Sequence, residues 1–178
     1  MTARALLALS GLALVAACAG EGRSAASGRA TFAWRSPDSL VGDGRWEGRV
    51  AAGWCDSSRT LAVIGWRADT GLALRLLGPR TSGTVPLGPA SDSATGGATL
   101  AVRWLHRSQL LALRSDSGRL EIAAADPSLS ARFDASVAGL GGALPASVAG
   151  RLDGVPVQGG AAGCRLVHGG QSAGSGVP

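Results

Sequence analysis

The sequence predicts an all-β domain, read as a single antiparallel β-sandwich with a barrel as the alternative. Short apolar segments alternate with clusters of Gly, Pro, Asp and Ser, and no apolar pattern of helical period persists. Hydrophobic residues make up 46% of the 178-residue chain, ample for a packed core and too many for a chain disordered by composition. Many short antiparallel strands in one unit of this size give a sandwich or a barrel, and uneven segment lengths and connections favour the sandwich.

Taken in order, strands are expected at residues 31–35, 46–55, 60–67, 72–78, 83–87, 99–106, 110–114, 119–123, 130–137 and 147–157. Pro86 and Pro156 belong at strand ends or edges, because proline cannot donate to a ladder. Two hairpins follow from the apolar pattern. A four-residue loop Ser115-Asp116-Ser117-Gly118 sets Leu113 against Leu120 and Leu111 against Ile122, with Gly118 free to take a left-handed conformation. By the same logic Ala68-Asp69-Thr70-Gly71 sets Val63 against Leu76 and Ile64 against Arg75.

The strand register separates candidate contact residues from core. Trp34, Trp46, Trp54, Trp66 and Trp104 all fall on expected strands, where filling the core is the ordinary use of tryptophan. Trp66 shares a face with Ile64 and, across its hairpin, Arg75, whereas Val63 shares the other face with Leu76. If the second face is the core, Trp66 looks outward with Arg75 beside it, and the pair is the candidate contact site for a partner.

Motifs of catalysis and cofactor binding are absent from the sequence. His106 and His168 are the two histidines and lie far apart, so no metal site is expected. No Gly-x-Ser-x-Gly elbow occurs in the domain, no phosphate loop or dinucleotide fingerprint is present, and no cofactor is expected. The Asp residues sit mainly in turns, where aspartate is wanted for backbone reasons. The net charge is +5, but the arginines at 67, 75, 103, 114, 119, 132 and 151 are scattered singly, which argues against nucleic acid as a partner.

The chain begins with Arg4 followed by an apolar run at residues 5–15, ALLALSGLALV. That is the layout of a signal peptide, and the run is too short to span a bilayer, which takes about 20 apolar residues. The four residues Val15-Ala16-Ala17-Cys18 resemble the lipobox of bacterial lipoproteins: an aliphatic residue, two small ones and the cysteine. The resemblance covers the first twenty or so residues. It implies cleavage before Cys18, lipidation of Cys18 with diacylglycerol and a further acyl chain such as palmitate, and a stable membrane anchor. Ala19, a non-acidic residue after the cysteine, resembles the sorting signal for the outer membrane. The expected layout is a signal peptide at 1–17, a lipid-anchored flexible tether at 18–29, the β-domain at 30–167 and a disordered Gly/Ser-rich tail at 168–178.

Of three cysteines, Cys18 is assigned to the lipid, which leaves Cys55 and Cys164 as an even pair in an oxidising compartment, where a disulfide is expected. The expected function is a non-enzymatic, lipid-anchored envelope protein that binds a protein or glycan partner. A structural or assembly subunit and a lipid carrier between two sheets are the alternatives, with an envelope hydrolase less favoured.

Overall fold

The computed structural model describes residues 27–89, 96–139 and 145–172, with side chains described as far as residue 169. Signal peptide, Cys18, most of the tether and the last six residues lie outside the described residues. Nine strands and one helix follow in chain order: β1 (Gly28–Arg35), β2 (Gly44–Cys55), β3 (Thr60–Arg67), β4 (Thr70–Leu77), β5 (Gly83–Leu87), β6 (Ala98–His106), β7 (Gln109–Ala124), β8 (Ser128–Ala138), β9 (Ala146–Gln158) and α1 (Gly160–Ser172). The domain is all-β with one C-terminal helix.

The strands form one closed sheet, in the order β1-β2-β3-β4-β6-β5-β7-β8-β9. The favoured sandwich therefore gives way to its alternative, the barrel, because β1 pairs with both β2 and β9 and leaves no break between two sheets. Where β1 begins, its two flanking strands meet directly through Ala52–Val157 and Gly53–Gln158. The cross-section nonetheless keeps something of a sandwich. Trp34 on β1 and Trp104 on β6 come from opposite sides of the ring, yet their rings stack with centroids 4.5 Å apart. Opposing walls are in van der Waals contact there, and the interior is filled.

Alternation along each strand sends one set of residues inward. Phe32, Trp34, Trp46, Val50, Trp54, Leu61, Leu72, Leu100, Trp104, Leu120 and Phe133 are among the buried side chains of a single core. Phe32 lies 5.2 Å from Trp46 and 5.6 Å from Trp34, in tilted aromatic contacts. Trp104 donates its indole N–H to the Val41 carbonyl (3.1 Å), tying the loop between β1 and β2 over one end of the barrel. The indole N–H groups of Trp34 and Trp46 find no acceptor among the described residues.

Two hairpins differ from the sequence reading. Leu111, Leu113, Leu120 and Ile122 all lie inward, but on one strand: β7 runs unbroken for 16 residues. The change of parity that suggested a turn is a β-bulge between Ser115 and Ser117 opposite β8. Ser115 explains the bulge chemically. Its hydroxyl accepts from the Leu100 N–H (3.0 Å) and donates to the Gly88 carbonyl (2.8 Å), bridging β6 and the end of β5 where β7 leaves one partner for the other. The real hairpin joins β6 to β7 through Arg107-Ser108, both at positive φ (47° and 67°), the handedness that suits strand twist.

The β3–β4 hairpin exists, but two residues tighter than expected. Arg67 pairs with Thr70, so Val63 faces Leu74 and Ile64 faces Ala73 rather than Leu76 and Arg75. A shift of two keeps every side chain on its expected face. Pro86 and Pro156 both lie within paired strands, opposite Arg119 and Ser128.

The sequence predicts no helix after the last strand and a tail from residue 168, whereas α1 occupies Gly160–Ser172. Four glycines (160, 163, 169, 170) give it poor intrinsic helicity. Tertiary contacts hold it instead. Cys164 is disulfide-bonded to Cys55, and Val167 and Leu166 pack with Cys55 and Ala62. Gly163 sits directly against the Trp54 and Gln158 backbone, where a Cβ would collide with both carbonyls.

Candidate functional site

The outward positions of the barrel divide into two walls of different chemistry. On one, formed by β8, β9, β1 and the flanking halves of β7 and β2, arginines 29, 35, 45, 49, 119, 132 and 151 are interspersed with the carboxylates Glu47, Glu121, Asp134 and Asp153. Arg29–Glu47 (3.1 Å), Arg119–Glu121 (3.2 Å) and Arg151–Asp153 (3.0 Å) are ion pairs, and Glu121 and Arg119 lie across from Arg132 and Asp134. These side chains are well exposed, so each pair is worth at most about 1 kcal/mol, and the wall reads as a solvated surface.

The opposite wall is built from β3, β4, β6 and the first half of β7. Inward burial of Val63, Leu72, Leu74, Leu100, Val102, Trp104, Leu111 and Leu113 forces their strand neighbours outward. Across the four strands the register gives two outward rows: Ile64, Ala73, Ala101 and Arg114, then Trp66, Gly71, Arg103 and Ala112. Leu105 and Leu110 pair in the next outward position. The charged residues at the outward strand positions named here and at Arg75 are all arginines, without a carboxylate among them.

Trp66 stands in this wall as the sequence reading expected, 46% exposed, while the other four tryptophans are buried. Its indole leans across Gly71, where any Cβ would clash with the ring, and meets the Arg103 guanidinium 3.9 Å from the ring centroid. Arg103, not Arg75, is therefore the cation beside Trp66. Arg75 lies on the same outer face but opposite Ala62 and Thr99, four residues along β4 from Gly71. It is half-buried, and its Nε, like that of Arg103, has no hydrogen-bond partner among the described residues.

Among the described residues three further large apolar side chains are exposed: Leu40, Leu105 and Leu110. All gather with Trp66 at the end of the barrel that carries the β1–β2 loop and the turns after β3 and β6. His106, beside Leu105, links the loop to the wall, because its Nε2 lies 3.1 Å from the Ser39 carbonyl. Alternation through Leu100, Val102 and Trp104 already implied that Ala101, Arg103 and Leu105 point outward; the β6–β7 pairing that brings Leu110 beside Leu105 did not show in the sequence.

Cys55 and Cys164 are joined by a disulfide 109 residues apart in sequence. Ser57 Oγ lies 3.2 Å and His168 Nε2 3.8 Å from Cys55 Sγ, so His168 stands on α1 beside the bridge rather than in a tail. A shallow cleft of about 310 Å³ opens between the β1–β2 loop and the start of β9, lined by Arg35, Ser36, Ser136 and Ser147 among others. Ser36 donates to the Pro145 carbonyl (2.6 Å) and Ser147 to the Arg35 carbonyl (3.4 Å), so both hydroxyls serve the backbone. Among the described residues no group of three or more His, Cys, Asp or Glu is placed to hold a metal. No helix of the described residues is long and apolar enough to cross a membrane.

No protein-family model matches the chain, nor does any curated protein or solved structure. A functional reading therefore rests on the geometry and on the residues themselves.

Proposed function

We propose that this protein is a lipid-anchored envelope protein that acts as a non-enzymatic binding module for a protein or glycan partner, with the wall around Trp66 and Arg103 as its contact face. One observation carries the reading. Four tryptophans are spent on the interior, and the fifth is held outward on a face of arginines and small or apolar residues, opposite a wall of mixed charge. Tryptophan and arginine are the residues that dominate binding energy at protein interfaces, and an exposed apolar patch of this kind marks an interaction site.

The anchor rests on the lipobox at Val15-Ala16-Ala17-Cys18, and an outer-membrane address on Ala19. An oxidising compartment agrees with the Cys55–Cys164 disulfide. The lipid-carrier alternative is less well supported, because Trp34 and Trp104 stack across the interior that a lipid would occupy. The hydrolase reading needs His106 in a pocket with Ser and Asp, whereas its Nε2 faces a backbone carbonyl. A structural subunit remains the second reading, on the strength of the same exposed face.

The test is a native, non-reducing mass spectrum of the protein extracted from membranes of a lipoprotein-processing bacterium. The expected mass begins at Cys18, carries acyl chains and is two hydrogens short for the disulfide. A chain beginning at Ala19, or an unmodified Cys18, overturns the anchor, and a retained lipid beyond the covalent one moves the carrier reading to the front.

A further inference from the structure

We infer that the β3–β4–β6–β7 wall docks an acidic protein surface, presented away from the membrane that holds the anchor; this rests on the binding-module reading above and names the partner's class. Charge is the first argument. Arg75, Arg103 and Arg114 sit on three neighbouring strands around a floor of Ala73 and Ala101, and the ion pairs of the described residues do not involve them. The Nε atoms of Arg75 and Arg103 are buried without an acceptor, and no described carboxylate forms an ion pair with either guanidinium. A second copy of this chain meeting the same face would set arginine against arginine.

Shape is the second argument. The face is the outer wall of a barrel, with small residues at Gly71, Ala73 and Ala101 and with Trp66, Leu105 and Leu110 toward one end, whereas small ligands take concave sites. Tryptophan and arginine are enriched and acidic residues depleted at protein interfaces, and the outward positions named here carry Trp66 and three arginines with no carboxylate.

Position sets the face apart from the point where the tether enters. The chain joins the barrel at Gly28, at the start of β1, which lies across the ring from β6. Trp66, Leu105 and Leu110 lie toward the opposite end, where β3 and β6 finish and β7 begins. With Cys18 in the membrane, residues 19–27 reach at most about 30 Å. That reach lets the domain stand with this wall, which lies across the barrel from the entry point, turned away from its own membrane.

A photo-crosslinking amino acid at position 112, exposed on the β7 side of the face next to Arg103, tests this in the full-length lipoprotein in cells of its native host, with position 132 on the mixed-charge wall as control. The expected result is a protein adduct at 112 and not at 132. The crosslinked segment, read by mass spectrometry, is rich in Asp and Glu. Adduct falls at least tenfold with Arg114→Glu and returns when an acidic residue of that segment is changed to Arg. Arg114 is exposed, so its reversal leaves folding intact; the disulfide-bearing mass checks this. A lipid adduct at 112, equal capture at 132, or capture indifferent to Arg114→Glu overturns the inference. A glycan adduct at 112 overturns it while leaving the binding-module reading standing, and no adduct at either position removes both.

Discussion

Ser115 shows how much one side chain decides at the residue scale. It is one of two buried polar residues among those described, and its hydroxyl replaces ladder bonds that the bulge interrupts. Ser115→Ala leaves the Leu100 N–H and the Gly88 carbonyl without partners, and urea denaturation should read a loss of about 1–3 kcal/mol. The tryptophans divide in the same way. Trp104→Ala empties the centre of the core and should cost about 3–5 kcal/mol, whereas Trp66→Ala should leave stability within about 1 kcal/mol while weakening partner capture. Arg107 and Ser108 hold left-handed conformations that cost non-glycine residues about 1–2 kcal/mol each. Replacing them with Asn-Gly, the favoured pair for such a turn, should raise the denaturation midpoint without moving Trp66 or Arg103.

At the scale of the element, α1 is the part least able to stand alone. Its glycines disfavour helix, and its place is secured by the disulfide and by the bare backbone contact of Gly163 with Trp54 and Gln158. The chain-entropy model assigns about 4.7 kcal/mol to a cross-link closing a loop near 100 residues, as an upper figure. A Cys55→Ser, Cys164→Ser variant should lose stability up to that amount. Hydrogen exchange should show α1 opening first, with the strands of the barrel still protected. If α1 and the strands lose protection together in that variant, the helix is held by more than the bridge.

For the molecule as a whole, closure of the sheet joins every strand to two neighbours, and one continuous core lies inside it. Most strands have no bypass in the ring, the direct β2–β9 and β6–β7 pairings apart, so the disulfide-intact domain should unfold in a single transition, with near-ultraviolet signals from the stacked tryptophans and far-ultraviolet signals from the sheet coinciding. Closure also produces the two walls. Strands that are distant in sequence, such as β3 and β7, present one continuous outer face because β4 and β6 stand between them.

Local pattern by itself placed most of the strands and their inward and outward alternation, turned Trp66 outward once the Val63 face is taken as core, and left Cys55 and Cys164 as a pair. Alternation and cysteine parity are properties of the covalent chain, and a shift of two residues in the β3–β4 register could not disturb them. Only the tertiary structure decided that the sheet closes, that β7 continues through a bulge instead of turning, that a glycine-rich segment is helical, and that Arg103 rather than Arg75 meets Trp66. Each of these depends on which strands become neighbours. The same parity change fits a turn or a bulge, and only the β5, β6 and β8 pairings around Ser115 separate the two. Likewise, β4 sets Arg103 beside Trp66 because Gly71, lying between them, has no side chain to keep the indole and the guanidinium apart.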